Sequence, residues 1–182
     1  MRGYCRKACN DRGLSADLRV QTYESFDYDK KFEAIIVPAG SIQLITDFSA
    51  FRAVLLRFRE HLSPNGRLIV DLLPTGSVLA ERTGIRSWVT PDDKLITLAS
   101  HRVETDYLRQ STTSHDRYEL WRNGRLVETE LEVFSLRWWG VEEFALALRD
   151  TGFRDLIISG NHEHGRAPHK NDKVITFEAH IG

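Results

Sequence analysis

Two short apolar runs bracket one amphipathic helix between Phe32 and Leu73, and together they predict a complete strand, loop, helix, turn and strand unit. Phe32, Ala34, Ile35, Ile36 and Val37 form the first run, and Leu68, Ile69, Val70, Leu72 and Leu73 dominate the second. Runs this continuous are expected of parallel strands covered on both faces. Between them Phe48, Phe51, Leu55, Phe58 and Leu62 recur at steps of three and four, a single helical stripe, while Arg52, Arg57, Arg59 and Glu60 take the other side. Ser63, Pro64, Asn65 and Gly66 end the helix and reverse the chain, with Gly66 expected to take the left-handed conformation. The unit reads as a right-handed βαβ crossover.

Outward from this unit the pattern predicts a polar helix from Arg2 to Arg12, ended by Gly13, and a short strand from Leu18 to Tyr23. After Pro74, Gly76 and Gly84 the texture becomes β throughout. Leu95 to Arg102 alternates, and Asn123 with Gly124, flanked by alternating segments, predicts a hairpin with a type I′ turn. Strand character continues from Leu131 to Leu136. Val141, Phe144, Ala145 and Leu148 then give an amphipathic helix closed at Gly152. Leu156 to Ile158 and Val174 to Ala179 follow as strands, paired antiparallel across a polar loop.

Composition narrows the class. The 182 residues are 41% hydrophobic and 28% charged, which fits one globular domain over 1–182, with 86–138 as a β insertion or lid subdomain. A formal net charge of -1 gives no electrostatic footprint for nucleic acid, so a small-molecule partner is the expectation. No apolar run approaches the roughly 20 residues of a membrane span, and the first residues lack a signal-peptide core. The expected location is cytoplasmic. Cys5 and Cys9, four apart on a helix, read as reduced structural thiols, and no metal set is complete. His162, His164 and His169 with Glu163 form a histidine-rich loop, open to a metal or simply solvated.

The run Phe32 to Val37, the loop Pro38, Ala39, Gly40 and Ser41, the helix, and the turn Leu62 to Leu68 resemble the second half of class I S-adenosylmethionine-dependent methyltransferases. Phe32 with Glu33 matches the opening of that family's fourth strand, and Leu62 to Gly66 its leucine, proline, glycine turn. The hairpin insertion before Trp138 and Trp139, and the final helix ending in Thr151, Gly152 and Phe153, are similar to the branch acting on small molecules such as sugars and glycine. The resemblance implies an α/β Rossmann-like sheet, mostly parallel with an antiparallel last strand. It implies an enzyme that uses S-adenosylmethionine to methylate a small-molecule acceptor at nitrogen or oxygen. A non-catalytic domain of the same fold, binding a ligand or partner in the same cleft, is the alternative. A nucleic-acid methyltransferase is disfavoured by the charge and by the absence of an Asn or Asp, Pro, Pro, Tyr or Phe tetrapeptide after Val37.

One departure accompanies the agreements: the family's first strand, its glycine-rich loop and its ribose-binding acid have no counterpart, and no G-x-G-x-G occurs. The resemblance therefore implies an amino-terminally truncated sheet. A longer product, an altered packing, or a second chain in a homodimer would close the gap. By resemblance Thr22 and Tyr23 stand where adenine is held, or are a plain strand end, and Thr22 lacks the acid found there in the family. Pro38, Ala39, Gly40 and Ser41 end a parallel strand where open α/β sheets bind ligands, or merely connect it to the helix. Gln43 faces the transferred methyl or solvates the loop. Tyr118, Trp138 and Trp139 would roof an acceptor pocket or serve as packing, and His101 is the candidate base for an oxygen acceptor.

Overall fold

The computed structural model describes residues 2–81 and 84–181. Helix α1 (Arg2–Asn10) leads, stopped by Gly13, whose amide bonds the Asn10 carbonyl. From Gly3 to Asn10 only Cys9 is even partly shielded, so α1 rests against little of the described chain. The expected strand from Leu18 to Tyr23 is not one. That stretch runs without a ladder, and Val20 is 78% exposed. A strand exists only when a neighbour accepts and donates its hydrogen bonds, and among the described residues none lies beside this stretch.

The βαβ unit forms as the pattern predicts. Strand β1 (Phe32–Val37) pairs parallel with β2 (Leu62–Leu72), and α2 (Phe48–His61) crosses between them. Asp47 caps α2, its Oδ1 accepting the Ala50 amide at 2.8 Å, which satisfies a donor the first turn would otherwise leave bare. The buried stripe starts at Phe51 and continues through Val54, Leu55 and Phe58, whereas Phe48, at the exposed helix start, is half open. At the turn the left-handed residue is Asn65, with φ 62°, and not Gly66. Glycine is required at 66 for space instead: a Cβ there would lie 2.8 Å from the Ser63 carbonyl oxygen and 3.0 Å from that of Phe32.

After β2, α3 (Thr75–Leu79) leads into a second sheet of β3 (Ile85–Val89), β4 (Leu95–Asp106), β5 (Ser111–Arg122) and β6 (Arg125–Arg137), each antiparallel to the next. Its inner face carries Leu98, Arg102, Asp116, Tyr118 and Leu136. Arg102 ties it down by donating to the carbonyls of Val78, Leu79 and Ala80 at the end of α3. Lone carbonyls at a helix end favour such a cation. Asn123 and Gly124 have φ of 49° and 71°, the two left-handed residues of a type I′ turn. Gly124→Val should therefore lower stability by ~1 kcal/mol or more, because a β-branched residue resists positive φ. Thermal unfolding checks this, and an unchanged midpoint would contradict it.

Helix α4 (Val141–Asp150) returns the chain to the first sheet, followed by β7 (Phe153–Gly160) and β8 (Ile175–Ile181). The sheet order is β1-β2-β8-β7. β8 is inserted antiparallel between β2 and β7, so the other three strands point the same way. Helices α2 and α4 cover one face, where Phe51, Leu55, Leu68, Val70, Trp139, Phe144, Leu148 and Phe177 make the main core. The opposite face departs from the expectation of double cover. Among the described residues it is open at β1, where Ile36 is 65% exposed, and covered only in part by the histidine-rich loop, whose His162 and His164 reach Asp71 and Glu178. The outer edge of β1 is also unpaired.

Candidate functional site

The carboxyl ends of β1, β2 and β7 lie along one edge of the sheet, with the amino end of β8 between the last two, and the sharpest loop there is Pro38 to Ser41. Ala39 and Gly40 both take positive φ, 58° and 70°. The Ser41 amide and hydroxyl both donate to the Pro38 carbonyl, at 3.2 and 2.8 Å. Asp71 holds this loop to β2, accepting the Ala39 amide on Oδ2 at 3.1 Å and the Thr176 hydroxyl on Oδ1 at 2.7 Å. His162 Nδ1 lies 3.6 Å from the same carboxylate. The sequence reading passed over Asp71, although an acid inside the apolar run Val70, Asp71, Leu72 is a visible signal.

Thr22 and Tyr23 come together with that loop. The Tyr23 hydroxyl meets Ser41 Oγ at 2.9 Å and its ring stands edge-on to Phe58, while Thr22 shares a hydrogen bond with Ser25. Between this stretch and the free edge of β1 runs a groove of about 670 Å3. Phe32, Ile36, Val37 and Leu44 line its apolar side, and Asp17, Arg19, Glu24 and Lys30 are at its rim. Clefts of roughly 300 to 1,000 Å3 with apolar walls and a few polar groups are the usual size for small-molecule sites.

The acceptor-side candidates fare differently. Gln43 neither faces a ligand nor solvates the loop. It is fully buried, donating to the carbonyls of Leu73 and Arg137 at 3.3 and 3.1 Å and accepting the Leu73 amide at 2.7 Å. One amide side chain thus joins the ends of β1, β2 and β6. Trp139 belongs to the main core, its ring 4.3 Å from that of Phe51 and 5.7 Å from that of Phe144. Trp138 is buried where the second sheet meets α3, with Val78 and Leu136, and Tyr107 stands edge-on to it. Tyr118 is half-buried on the inner face of that sheet. Burial pushes its phenol above the ordinary value, and the nearby Glu132 and Asp116 push it further. His101 stands opposite His115 on the outward face, away from Arg102 and α3.

The histidine-rich loop is braced rather than loose. Asp172 accepts from Arg166 Nη2 and Asn161 Nδ2, both at 2.9 Å, and from the His169 amide at 2.7 Å. The Arg166 guanidinium, then the His169 amide, hold its carboxyl below the ordinary range. His162 faces Asp71 as described, and His164 and His180 each approach Glu178, at 3.6 and 3.7 Å.

No family model matches the chain, and no curated protein matches it. Solved structures do. An S-adenosylmethionine-dependent methyltransferase from Clostridium acetobutylicum superposes with a TM-score of 0.76 at 16% identity, over 99% of this chain and 70% of that one. The CcbJ methyltransferase from Streptomyces caelestis gives 0.71 at 17%, over 100% and 73%. The sugar N-methyltransferase KedS8 from a Streptoalloteichus species gives 0.70 at 17%, over 96% and 66%. The chain thus spans about two thirds to three quarters of each. Identities this low speak for architecture, and the architecture agrees from α1 to β8: the chain has the fold of the S-adenosylmethionine-dependent methyltransferases.

Proposed function

We propose that the chain serves methyl transfer from S-adenosylmethionine to a small-molecule acceptor, with an amine or hydroxyl as the receiving group. The observation that carries this reading is the coincidence of the methyltransferase fold with a groove of nucleoside size along the free edge of β1. The groove fits the adenosyl end of the donor. Ile36, Val37 and Leu44 offer apolar contact, and Thr22 a hydroxyl at the margin. When bound, the sulfonium supplies an electrophilic methyl. The chain's own residues position and desolvate: the Tyr23 to Ser41 hydrogen bond ties the two walls together, and Asp71 fixes the loop. Transfer of this kind depends chiefly on alignment of nucleophile, methyl and leaving sulfur in a water-poor space. The acceptor enters from the second sheet, whose inner face presents Tyr118. His101 takes no proton in this reading, since it points away from α3.

A second reading is a non-catalytic ligand-binding domain, and the fate of two acceptor-side candidates favours it: packing consumes both Gln43 and Trp139. Incubation with S-adenosylmethionine and a panel of small amines, alcohols and amino sugars separates the two. The proposal predicts acceptor-dependent release of S-adenosylhomocysteine and a one-methyl mass gain on the acceptor. Binding of the donor without transfer to any of them would contradict it and leave the second reading.

A further inference from the structure

The outward face of the second sheet, on which His101 and His115 stand, is open to solvent and largely apolar. Strand pairing sorts its side chains into rows that cross all four strands. Val89, Leu95, Trp121 and Leu126 form the row nearest the Asn123 and Gly124 turn. Ser87, Thr97, Glu119 and Thr129 form the next, and Ile85, Ala99, Arg117 and Leu131 the third. Val89 is 70% exposed, Ile85 68%, Leu131 60% and Leu126 48%. A contiguous apolar face of this kind is uncommon on a monomer and marks an interaction surface.

The polar groups of the face are already met within it. Trp121 Nε1 donates to Thr97 Oγ1 at 3.0 Å, and Thr97 Oγ1 donates to Glu119 Oε2 at 3.0 Å. Arg117 Nε lies 3.2 Å from Glu119 Oε1, so the acid and the base of the central rows neutralise each other. Covering this face therefore strands neither the indole donor nor a lone carboxylate, and the usual cost of burying polar groups is small. The Arg117 side chain, 56% exposed, still has its guanidinium plane open to a partner.

The order of the rows identifies that partner. Apolar, polar, apolar is symmetric about the row of Thr97 and Glu119, so a half-turn about an axis along that row lays each apolar row over the other. Val89 then faces Ile85 of the partner subunit, Leu126 faces Leu131 of the partner subunit, and Trp121 faces Arg117 of the partner subunit, a guanidinium on an indole. Sheets stacked in this way pack at ~10 Å with their apolar side chains interleaved. About ten residues along each of four strands give a face of roughly 30 Å by 17 Å. Corrugated by side chains, such a face carries about the 800 Å2 that each partner brings to a stable interface.

We propose that the chain forms a two-fold dimer with a second copy of itself by stacking the outward faces of their second sheets. The dimer does not depend on the methyl-transfer reading and stands if that reading fails.

Sedimentation equilibrium of the whole chain, at concentrations up to roughly 200 μM, tests it. A dimer with a micromolar or lower dissociation constant is expected. Leu131→Glu, at an exposed position that leaves the fold intact, should raise that constant by about a hundredfold or more, because the change is made twice across the axis. Leu146→Glu, on the exposed side of α4, should leave it unchanged. Adding Leu126→Lys to Leu131→Glu sets opposite charges over one another in both facing pairs and should recover about tenfold or more of the loss. A monomer throughout would overturn the proposal and leave the face to a different protein. A dimer unaffected by Leu131→Glu, or no recovery in the double variant, would overturn it as well.

Discussion

Replacing Gln43 with leucine is expected to cost ~3 to 5 kcal/mol of stability, the largest effect of any single exchange at the carboxyl edge of the first sheet. The side chain is fully buried and makes three hydrogen bonds to backbone groups, so its loss leaves the Leu73 amide and the carbonyls of Leu73 and Arg137 without these partners. Each buried group left unsatisfied costs roughly 1 to 3 kcal/mol, offset in part by the apolar gain of leucine. At this chain length the midpoint of thermal unfolding should fall by roughly 10 °C. Because Gln43 joins the ends of β1, β2 and β6, the variant should also loosen the second sheet. Faster amide exchange at Leu73 and Trp138 would report it. A loss below ~1 kcal/mol would mean that water replaces the glutamine.

The second large effect concerns affinity. This chain should bind S-adenosylhomocysteine only in the millimolar range, although micromolar sites are common for ligands of its size. The groove beside β1 offers apolar contact and a hydroxyl, but no glycine-rich cradle occurs in the sequence, and the polar groups nearest the loop already answer one another. Ser41 bonds Pro38 and Tyr23, and Asp71 bonds Ala39 and Thr176. Losing two or three hydrogen bonds to charged or polar groups of the ligand, at ~1.5 to 3 kcal/mol each, weakens a micromolar site about a thousandfold. Isothermal titration decides the matter. Micromolar affinity would show that another part of the chain, or a second copy of it, supplies those bonds.

What could be read in the sequence was whatever local periodicity and turn chemistry control. The βαβ unit, the Asn123 and Gly124 hairpin, α4 and the antiparallel pair β7 and β8 all follow from spacing, because each side chain's face is set by its own element. The misses share a cause in distant partners. Leu18 to Tyr23 has the composition of a strand and lacks a neighbour to make it one. Gln43 looks like a loop residue until Leu73 and Arg137, 30 and 94 positions away, close on it. Trp139 was a candidate for the acceptor pocket because aromatic residues serve packing and binding alike, and only its contacts with Phe51 and Phe144 decide between them. Asn65 took the left-handed position expected of Gly66, since two adjacent turn formers divide the roles of conformation and space in a way that spacing does not reveal.

The central claim, that the donor's adenosyl end belongs in the groove between Thr22 to Tyr23 and the end of β1, is tested most directly by amide chemical shifts. Titration of the isotopically labelled chain with S-adenosylhomocysteine at millimolar concentration should move the amides of Thr22, Tyr23, Val37 and Ala39 to Ser41 together, on one saturation curve, and leave those of β5 and β6 in place. Shifts confined to the second sheet, or none at any concentration reached, would contradict it.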